Sequence, residues 1–223
     1  MTALLYSFRR CPYAMRGRMA LAMSGLPFEH REIILRDKPA SMLGYSPKGT
    51  VPVFVTEQGE VIEESIDLVH YALGQNDPEG WLKGLDAASQ QMIADNDGPF
   101  KHHLDRYKYA SRYSEDAKRG DFDPSHRAAA EEYIAKLETR LSSSLFLAGE
   151  TRGLADMTIF PFIRQFANTD RAWWDGPKVS TVDGDTVNTP PYPKTHKWLE
   201  GHLASDLFKS IMSKHPLWVD KVS

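Results

Sequence analysis

A short run of mostly apolar and aromatic residues, Ala3 to Phe8, opens the chain and reads as a buried strand. Arg9-Arg10-Cys11-Pro12 follows, and with Pro12 the pattern becomes helical. Proline suits a first helical position because its missing N–H is not needed there. Met15, Met19 and Ala22 recur at helical spacing, with Arg16 and Arg18 elsewhere, and Gly25 stands where a glycine stops a helix. Phe28 to Leu35 reads as a second strand and Pro39 to Leu43 as a short helix ending near Gly44. Val51 to Val55 reads as a third strand with Pro52 at its start; Glu57-Gln58-Gly59-Glu60 is a hairpin turn, and Val61-Ile62 begins a fourth strand. Ser65 opens another helix, with Ile66, Val69, His70 and Leu73 along one face.

Asn76-Asp77-Pro78-Glu79-Gly80 breaks this pattern and reads as a linker. No strand pattern stands out beyond it. Segments 86–118, 125–146 and 154–168 are helical by period and content, 175–193 reads as a long loop rich in Gly, Pro, Asp and Thr, and Lys194 to Met212 reads as two short helices. The expected organisation is an α/β domain over residues 1–76, a linker over 77–85 and an all-helical domain over 86–223.

Composition narrows the function classes. The chain has 223 residues, 41% hydrophobic and 26% charged, which is an ordinary globular composition for one or two domains. Lys plus Arg total 27 against 30 Asp plus Glu, a net charge of −3, so no general basic field points to nucleic acid. The single cysteine, Cys11, forms no intrachain disulfide and excludes a multi-cysteine metal site. The first apolar run is too short for a signal-peptide core, and no run approaches the roughly 20 residues of a membrane span. A cytoplasmic protein with no membrane partner is expected.

Cys11 carries the chemistry. It falls between a strand end and a helix start, at the N-cap, where free N–H groups and the helix dipole favour a thiolate over a thiol. Arg9, Arg10, Arg16 and Arg18 add positive charge nearby. Such a cysteine is expected to be nucleophilic at neutral pH; the plainer alternative is an inert core cysteine. Val51-Pro52 is a candidate cis peptide that would offer the Val51 backbone to a peptide ligand, or else a trans proline ending a loop. Glu63-Glu64-Ser65 begins a helix that Ser65 would cap, and such an N-terminus holds a carboxylate while Glu64 pairs with an ammonium. A capped helix with solvated acids is the other reading. In this order, a thiolate, a backbone edge and a carboxylate-plus-ammonium site suit a small thiol-containing peptide.

At these residues the sequence resembles the glutathione S-transferase superfamily over nearly its whole length. Cys11-Pro12-Tyr13-Ala14 looks like the cysteine motif of omega-like and glutaredoxin-like members. Gly49-Thr50-Val51-Pro52-Val53 is similar to the cis-proline segment, Glu64-Ser65 to the pair that grips the γ-glutamyl end, and Lys38 to a lysine near the glycine carboxylate. The resemblance implies a thioredoxin-like N-terminal domain and a helical C-terminal domain. It implies Cys11 as nucleophile, with Pro12, Tyr13, Lys38, Val51, Pro52, Glu64 and Ser65 around glutathione. It further implies glutathione as co-substrate without a metal, a small-molecule or protein disulfide as acceptor, and a homodimer. Ala14 stands where dithiol relatives carry a second cysteine, so a monothiol route is expected. Gly153 to Pro161 resembles the family's buried capping-box helix, with Asp156 structural and Gly153 in place of the usual Ser or Thr.

Arg106, Tyr107, Tyr109 and Tyr113 are candidates for a second-substrate pocket, with ordinary helix packing as the equal alternative. His102, His103 and Asp105 have a ligand-like look but no third partner, and no metal is expected. The leading expectation is a glutathione-dependent thiol transferase or reductase. Its alternatives are glutathione conjugation to electrophiles, with Tyr6 or a water-mediated donor steadying the thiolate, and a non-catalytic binding protein of the same fold.

Overall fold

The computed structural model describes residues 2–83, 85–180 and 186–220. They pack into two units, Met1–Leu82 with Ala204–Ser223, and Lys83–Leu203.

The first unit is built on a four-stranded sheet in the order β2-β1-β3-β4, from β1 (Leu4–Ser7), β2 (Glu29–Glu32), β3 (Val53–Val55) and β4 (Val61–Ile62). β1 pairs parallel with β2 and antiparallel with β3, which in turn pairs antiparallel with β4. All four β1 residues are buried. Coverage on both faces explains why the strand reads as a continuous apolar run, not an alternating one. Three helices complete the order: α1 (Pro12–Ser24), α2 (Ala40–Tyr45) and α3 (Ser65–Gln75). This is the thioredoxin-like arrangement.

α1 ends as expected, at Gly25 with φ of 72°, in the left-handed region open to glycine. Its burial differs from the expected stripe. Arg16 and Arg18 are buried at 1% and 3% exposure, whereas Ala22 is exposed. The reason is hydrogen bonding: the Arg18 guanidinium donates to the carbonyls of Arg9 and Ile211 at 2.7 and 3.1 Å and to Ser7 Oγ. Partners of this kind offset the cost of burying a charge. On α3, Leu68, Val69, Ala72 and Leu73 face the core, while Ile66 is half-buried and His70 exposed. The core face is therefore rotated from the expected one. Ser65 is not the cap: Glu64 holds that position and Ser65 is the first helical residue.

Residues 204–220, expected within the helical domain, pack in this first unit. The Trp218 N–H donates to the Glu32 carbonyl at 2.8 Å, Leu217 forms a parallel bridge with Glu32, and the Asp220 carboxylate accepts from the Ser41 N–H at 2.9 Å. The Arg31 guanidinium lies 3.8 Å from the Trp218 ring centroid. The tail thus covers the β2 edge of the sheet, an edge that would otherwise be open to pairing with other chains. Trp218→Ala should lower unfolding stability by about 1–2 kcal/mol through lost packing and cation–π attraction, read as a lower urea midpoint.

In the second unit, α4 (Ala87–Asp95), a π-helical turn at Asn96–Phe100, α5 (Lys101–Lys108) and a 3₁₀ turn at Ala110–Arg112 replace the single helix expected over 86–118. Pro99 sits inside the π turn. Lacking an N–H, it leaves the i−4 carbonyl without its donor, and a widened turn absorbs the defect. α6 (Pro124–Ser143) starts on an Asp123 cap, and α7 (Leu154–Ala167) is buried along nearly its whole length. α8 (Arg171–Asp175) and α9 (Pro193–Ala204) follow, and α10 (Asp206–Ile211) belongs to the first unit.

The expected loop over 175–193 contains a two-stranded antiparallel ribbon, β5 (Lys178–Ser180) and β6 (Thr186–Asn188). Residues 181–185 of that expectation lie outside the described residues. The ribbon left no signal because it has no core face: Val179 and Val187, paired across it, are 46% and 45% exposed.

Asp156 organises the start of α7. Its carboxylate accepts from the N–H groups of Leu147, Ala148 and Gly153 at 2.7, 3.1 and 3.1 Å, and from the Trp198 indole at 2.8 Å. The half of the capping box that Gly153 cannot supply is offset by bonds to the preceding loop and to α9. His202 lies beside this network, stacked on Phe160 at 4.8 Å. Burial pushes its pKa down to about 3. The unfolded chain, titrating near 6.5, then binds more protons at intermediate pH. His202 should therefore cost stability as pH falls from 6.5 toward 3, by up to roughly 1.4 kcal/mol per pH unit. His202→Phe should flatten that acid slope in urea titrations at pH 7 and 5.

Candidate active site at the start of the first helix

Cys11 is the N-cap of α1, with φ of −72° and ψ of 124°, and Pro12 is the first helical residue. The Cys11 N–H donates to the Phe8 carbonyl and its own carbonyl accepts from Met15, both at 3.0 Å. This turn fixes the residue's backbone without using its side chain as a cap. The thiol is half-buried, and its Sγ lies 3.8 Å from the Val51 carbonyl oxygen. The Val51–Pro52 bond is cis. Cys11 and Val51 therefore meet although 40 positions apart, because α1 and the loop before β3 end at the same side of the sheet. The first turn of α1 carries no acidic residue, so the positive end of the helix is not offset locally.

Three of the four nearby arginines have defined contacts of their own. Arg18 is committed to Ser7 and backbone carbonyls, Arg16 lies 5.5 Å from the half-buried Tyr13 ring, and Arg10 lies 5.4 Å from the Phe8 ring. Tyr6 is fully buried; its hydroxyl donates to Ser41 Oγ at 2.9 Å and accepts from Arg31 at 2.6 Å. These two contacts occupy the hydroxyl that the conjugation alternative would call on.

Lys38 lies over the loop that leads to Pro52. A Cβ at Gly49, where φ is +63°, would meet Lys38 Nζ at 3.1 Å. Glu64 and Ser65 stand at the start of α3, with Ser65 buried and Glu64 exposed. Glu64 is ion-paired with Lys48, a residue sequence reasoning did not single out, and that bond holds the Lys48 ammonium above its usual range. Lys48 precedes the Gly49-to-Val53 segment, but only the fold reveals its partner. Ser46 Oγ donates to Glu63.

The candidates for a second-substrate pocket are placed in the other unit. Tyr107 is fully buried against Phe122 and Phe166, with ring centroids 5.6 and 5.2 Å away, and burial pushes its hydroxyl pKa up to about 12. Its position is a packing one. Tyr109 accepts from Gln165 at 3.3 Å with the Arg112 guanidinium 4.1 Å from its ring, and Arg106 lies 4.5 Å from the exposed Tyr113 ring. His103 bonds to His126 at 2.8 Å, His102 to Arg106 at 3.0 Å, and Asp105 pairs with Lys101.

Residues 5–80 match the family model described as "Glutathione S-transferase, N-terminal domain", and residues 79–201 match "Glutathione S-transferase, C-terminal domain". The chain belongs to the glutathione S-transferase family. Among curated relatives of this transferase, glutathione transferase omega-1 of Caenorhabditis elegans is 26% identical over 93% of this chain and 79% of its own length. Glutathione S-transferase omega-1 of Mus musculus is 28% identical over 72% of this chain and 65% of its own length. Glutaredoxin 2 of Escherichia coli is 26% identical over 40% of this chain and 46% of its own length. An epsilon-class glutathione S-transferase from Musca domestica shares the fold, with a TM-score of 0.73 at 18% identity over 94% of this chain and 91% of that one. Family membership supports a general glutathione-dependent activity for this transferase. Among its described residues, no helix is long and apolar enough to cross a membrane.

Proposed function

We propose that this transferase is a monothiol, glutathione-dependent thiol transferase with Cys11 as its nucleophile. The observation that carries this reading is the Cys11 sulfur at the N-cap of α1, 3.8 Å from the Val51 carbonyl oxygen at the cis-proline turn. In the first step the Cys11 thiolate attacks the glutathionyl sulfur of a mixed disulfide R–S–SG. A Cys11–glutathione disulfide forms and RS⁻ leaves, to be protonated by solvent. A second glutathione thiolate then attacks the glutathionyl sulfur on Cys11. Oxidised glutathione departs and the Cys11 thiolate is restored, so two electrons pass from glutathione to the substrate disulfide. No second protein cysteine is needed, which agrees with Ala14 at the resolving position.

The surrounding groups orient the tripeptide in this reading. The Val51 backbone pairs with the cysteinyl unit and Pro12 and Tyr13 border the sulfur. The start of α3 with Ser65 receives the γ-glutamyl carboxylate and Glu64 its ammonium, exchanging the exposed Lys48 partner for the ligand. Lys38 faces the glycine carboxylate across Gly49. The acceptor is a small-molecule or protein mixed disulfide, and the working setting is a reducing, cytoplasmic glutathione pool with the protein assembled as a homodimer.

Mass spectrometry of the protein after incubation with oxidised glutathione tests the proposal. One glutathionyl adduct, mapped to Cys11 and removed by reduced glutathione, is the expected result. Absence of any adduct, while a small alkylating reagent still labels Cys11, would overturn it. Ser65→Ala should raise the KM for glutathione about 10- to 100-fold, the worth of roughly one hydrogen bond to a charged group, with a smaller effect on kcat.

A further inference from the structure

Helix α2 has no residue of its own to secure its start. Pro39 stands at its N-cap without a side-chain bond, and its first turn holds no acid. The N–H groups of a first turn have no partner inside the helix and call for an acceptor from elsewhere. Asp220, 179 positions from Ser41, supplies it. Its Oδ2 accepts from the Ser41 N–H at 2.9 Å, and its Oδ1 accepts from the Ser41 hydroxyl. These donors, the Ser41 hydroxyl first, hold the Asp220 carboxyl below its usual range, so it is ionised at neutral pH.

Asp220 is itself held. The Trp218 indole N–H donates to its Oδ1 at 2.9 Å, the Trp218 backbone N–H is fixed to the Glu32 carbonyl on β2, and Arg31 lies over the Trp218 ring. The bonds continue inward from Ser41, whose hydroxyl oxygen accepts from Tyr6 at 2.9 Å. Tyr6 belongs with Val51 to one apolar cluster, against which Trp218, Cys11 and Tyr45 pack.

What this anchor controls follows from the chain beside it. Lys38 lies between two fixed points. On one side the Asp37 N–H donates to the Ile34 carbonyl at 3.0 Å; on the other, Ser41 is held by Asp220. Lys38 and Leu43 both flank Gly49, where a Cβ would meet Lys38 Nζ at 3.1 Å and Leu43 Cδ2 at 3.3 Å. Gly49 leads through Thr50 to Val51, whose carbonyl oxygen faces the Cys11 sulfur.

We propose that Asp220 is a positioning residue for the glutathione site: by fixing the start of α2 it holds Lys38 at the glycine end of the tripeptide. The inference rests on the placement of glutathione given above, and adds to it a group that acts only through Ser41 and Lys38. Asp220→Ala removes both acceptors from Ser41 at once. Lys38 then loses one of its two anchors, while Cys11, Val51 and the start of α3 keep theirs. The loss is confined to the glycine end and falls on binding, not on the chemical step.

The test is calorimetric titration of the full chain, kept reduced, with glutathione and with γ-glutamylcysteine, which lacks the glycine. Asp220→Ala should bind glutathione at least about fivefold more weakly, and γ-glutamylcysteine within about twofold of the unaltered protein. In a Lys38→Ala background the same substitution should add less than about twofold for glutathione, since the contact it serves is gone. In turnover the KM for glutathione should rise while kcat stays within about twofold. Asp220→Asn, which keeps one oxygen for the Ser41 N–H, should show the same selectivity at smaller size, and it carries the test if the alanine variant fails to fold by circular dichroism. Equal weakening of both peptides would mark Asp220 as a general support of the fold and overturn the proposal. Unchanged glutathione affinity, or an undiminished effect in the Lys38→Ala background, would overturn it too. Equal binding of the two peptides by the unaltered protein would remove the glycine contact and this proposal with it; the adduct on Cys11, read by mass spectrometry, decides the thiol chemistry separately.

Discussion

Cys11→Ser should abolish formation of a mixed disulfide with glutathione and lower the rate of glutathione-dependent disulfide reduction at least about 10³-fold. Serine fits the same N-cap and is among the residues preferred there, so α1 should keep its start and the fold its stability. What is lost is the sulfur itself. A serine hydroxyl neither ionises near neutral pH nor forms a bond that a second glutathione could cleave. Glutathione should still bind within a few-fold of the unaltered affinity, because Val51, Ser65 and Lys38 are untouched by the change. Coupled turnover with a glutathionylated peptide and calorimetric glutathione binding separate the two effects. Retention of disulfide reduction by the serine variant would remove Cys11 from the mechanism. A gain of conjugating activity in that variant would instead identify the cysteine as the feature that holds the site to exchange chemistry. The buried and engaged Tyr6 hydroxyl speaks against an important conjugation route through that residue in the unaltered protein.

Asp156→Ala should destabilise the second unit by about 3–5 kcal/mol, the largest stability effect expected in this protein. The carboxylate is fully buried and accepts from three backbone N–H groups and the Trp198 indole. Removing it leaves four donors without an acceptor in a place water enters at a cost. Burial alone raises the Asp156 pKa while those donors pull it the other way. The carboxyl therefore stays useful in the folded state only while its donors remain in place. Asp156→Asn should cost less, because its carbonyl oxygen still accepts, but it cannot accept from all four. Urea unfolding followed by circular dichroism reads the difference as a lower midpoint. An alanine variant within 1 kcal/mol of the unaltered protein would show that the network forms elsewhere or not at all.

Local signals in the sequence carried much of the first unit. Pro12 after Cys11, Gly25 after the last turn and the apolar run of β1 are each a consequence of neighbouring residues alone: a missing N–H, an absent Cβ, a strand covered on both faces. The candidate nucleophile was legible for the same reason, since an N-cap is defined by the few residues around it. The departures are equally instructive. Ser65 looked like a cap because serine often is one, yet the helix begins one residue earlier and serine falls inside it. Arg16 and Arg18 were placed off the apolar stripe of α1, but Arg18 meets carbonyls from Arg9 and from Ile211, which is 193 positions away. No window along the chain contains both partners.

The order of strands and helices, the helix-mouth cysteine and the family resemblance of the motifs were determined by the chain's local chemistry. Tertiary structure alone decided where the last residues pack, that Tyr6 is spoken for by Ser41 and Arg31, that Lys48 pairs with Glu64, and that Asp220 holds the start of α2. The division has a simple physical origin. Backbone propensities and caps act over a few residues. Burial of a charge, commitment of a hydroxyl and the anchoring of α2 depend instead on groups brought together from distant parts of the sequence.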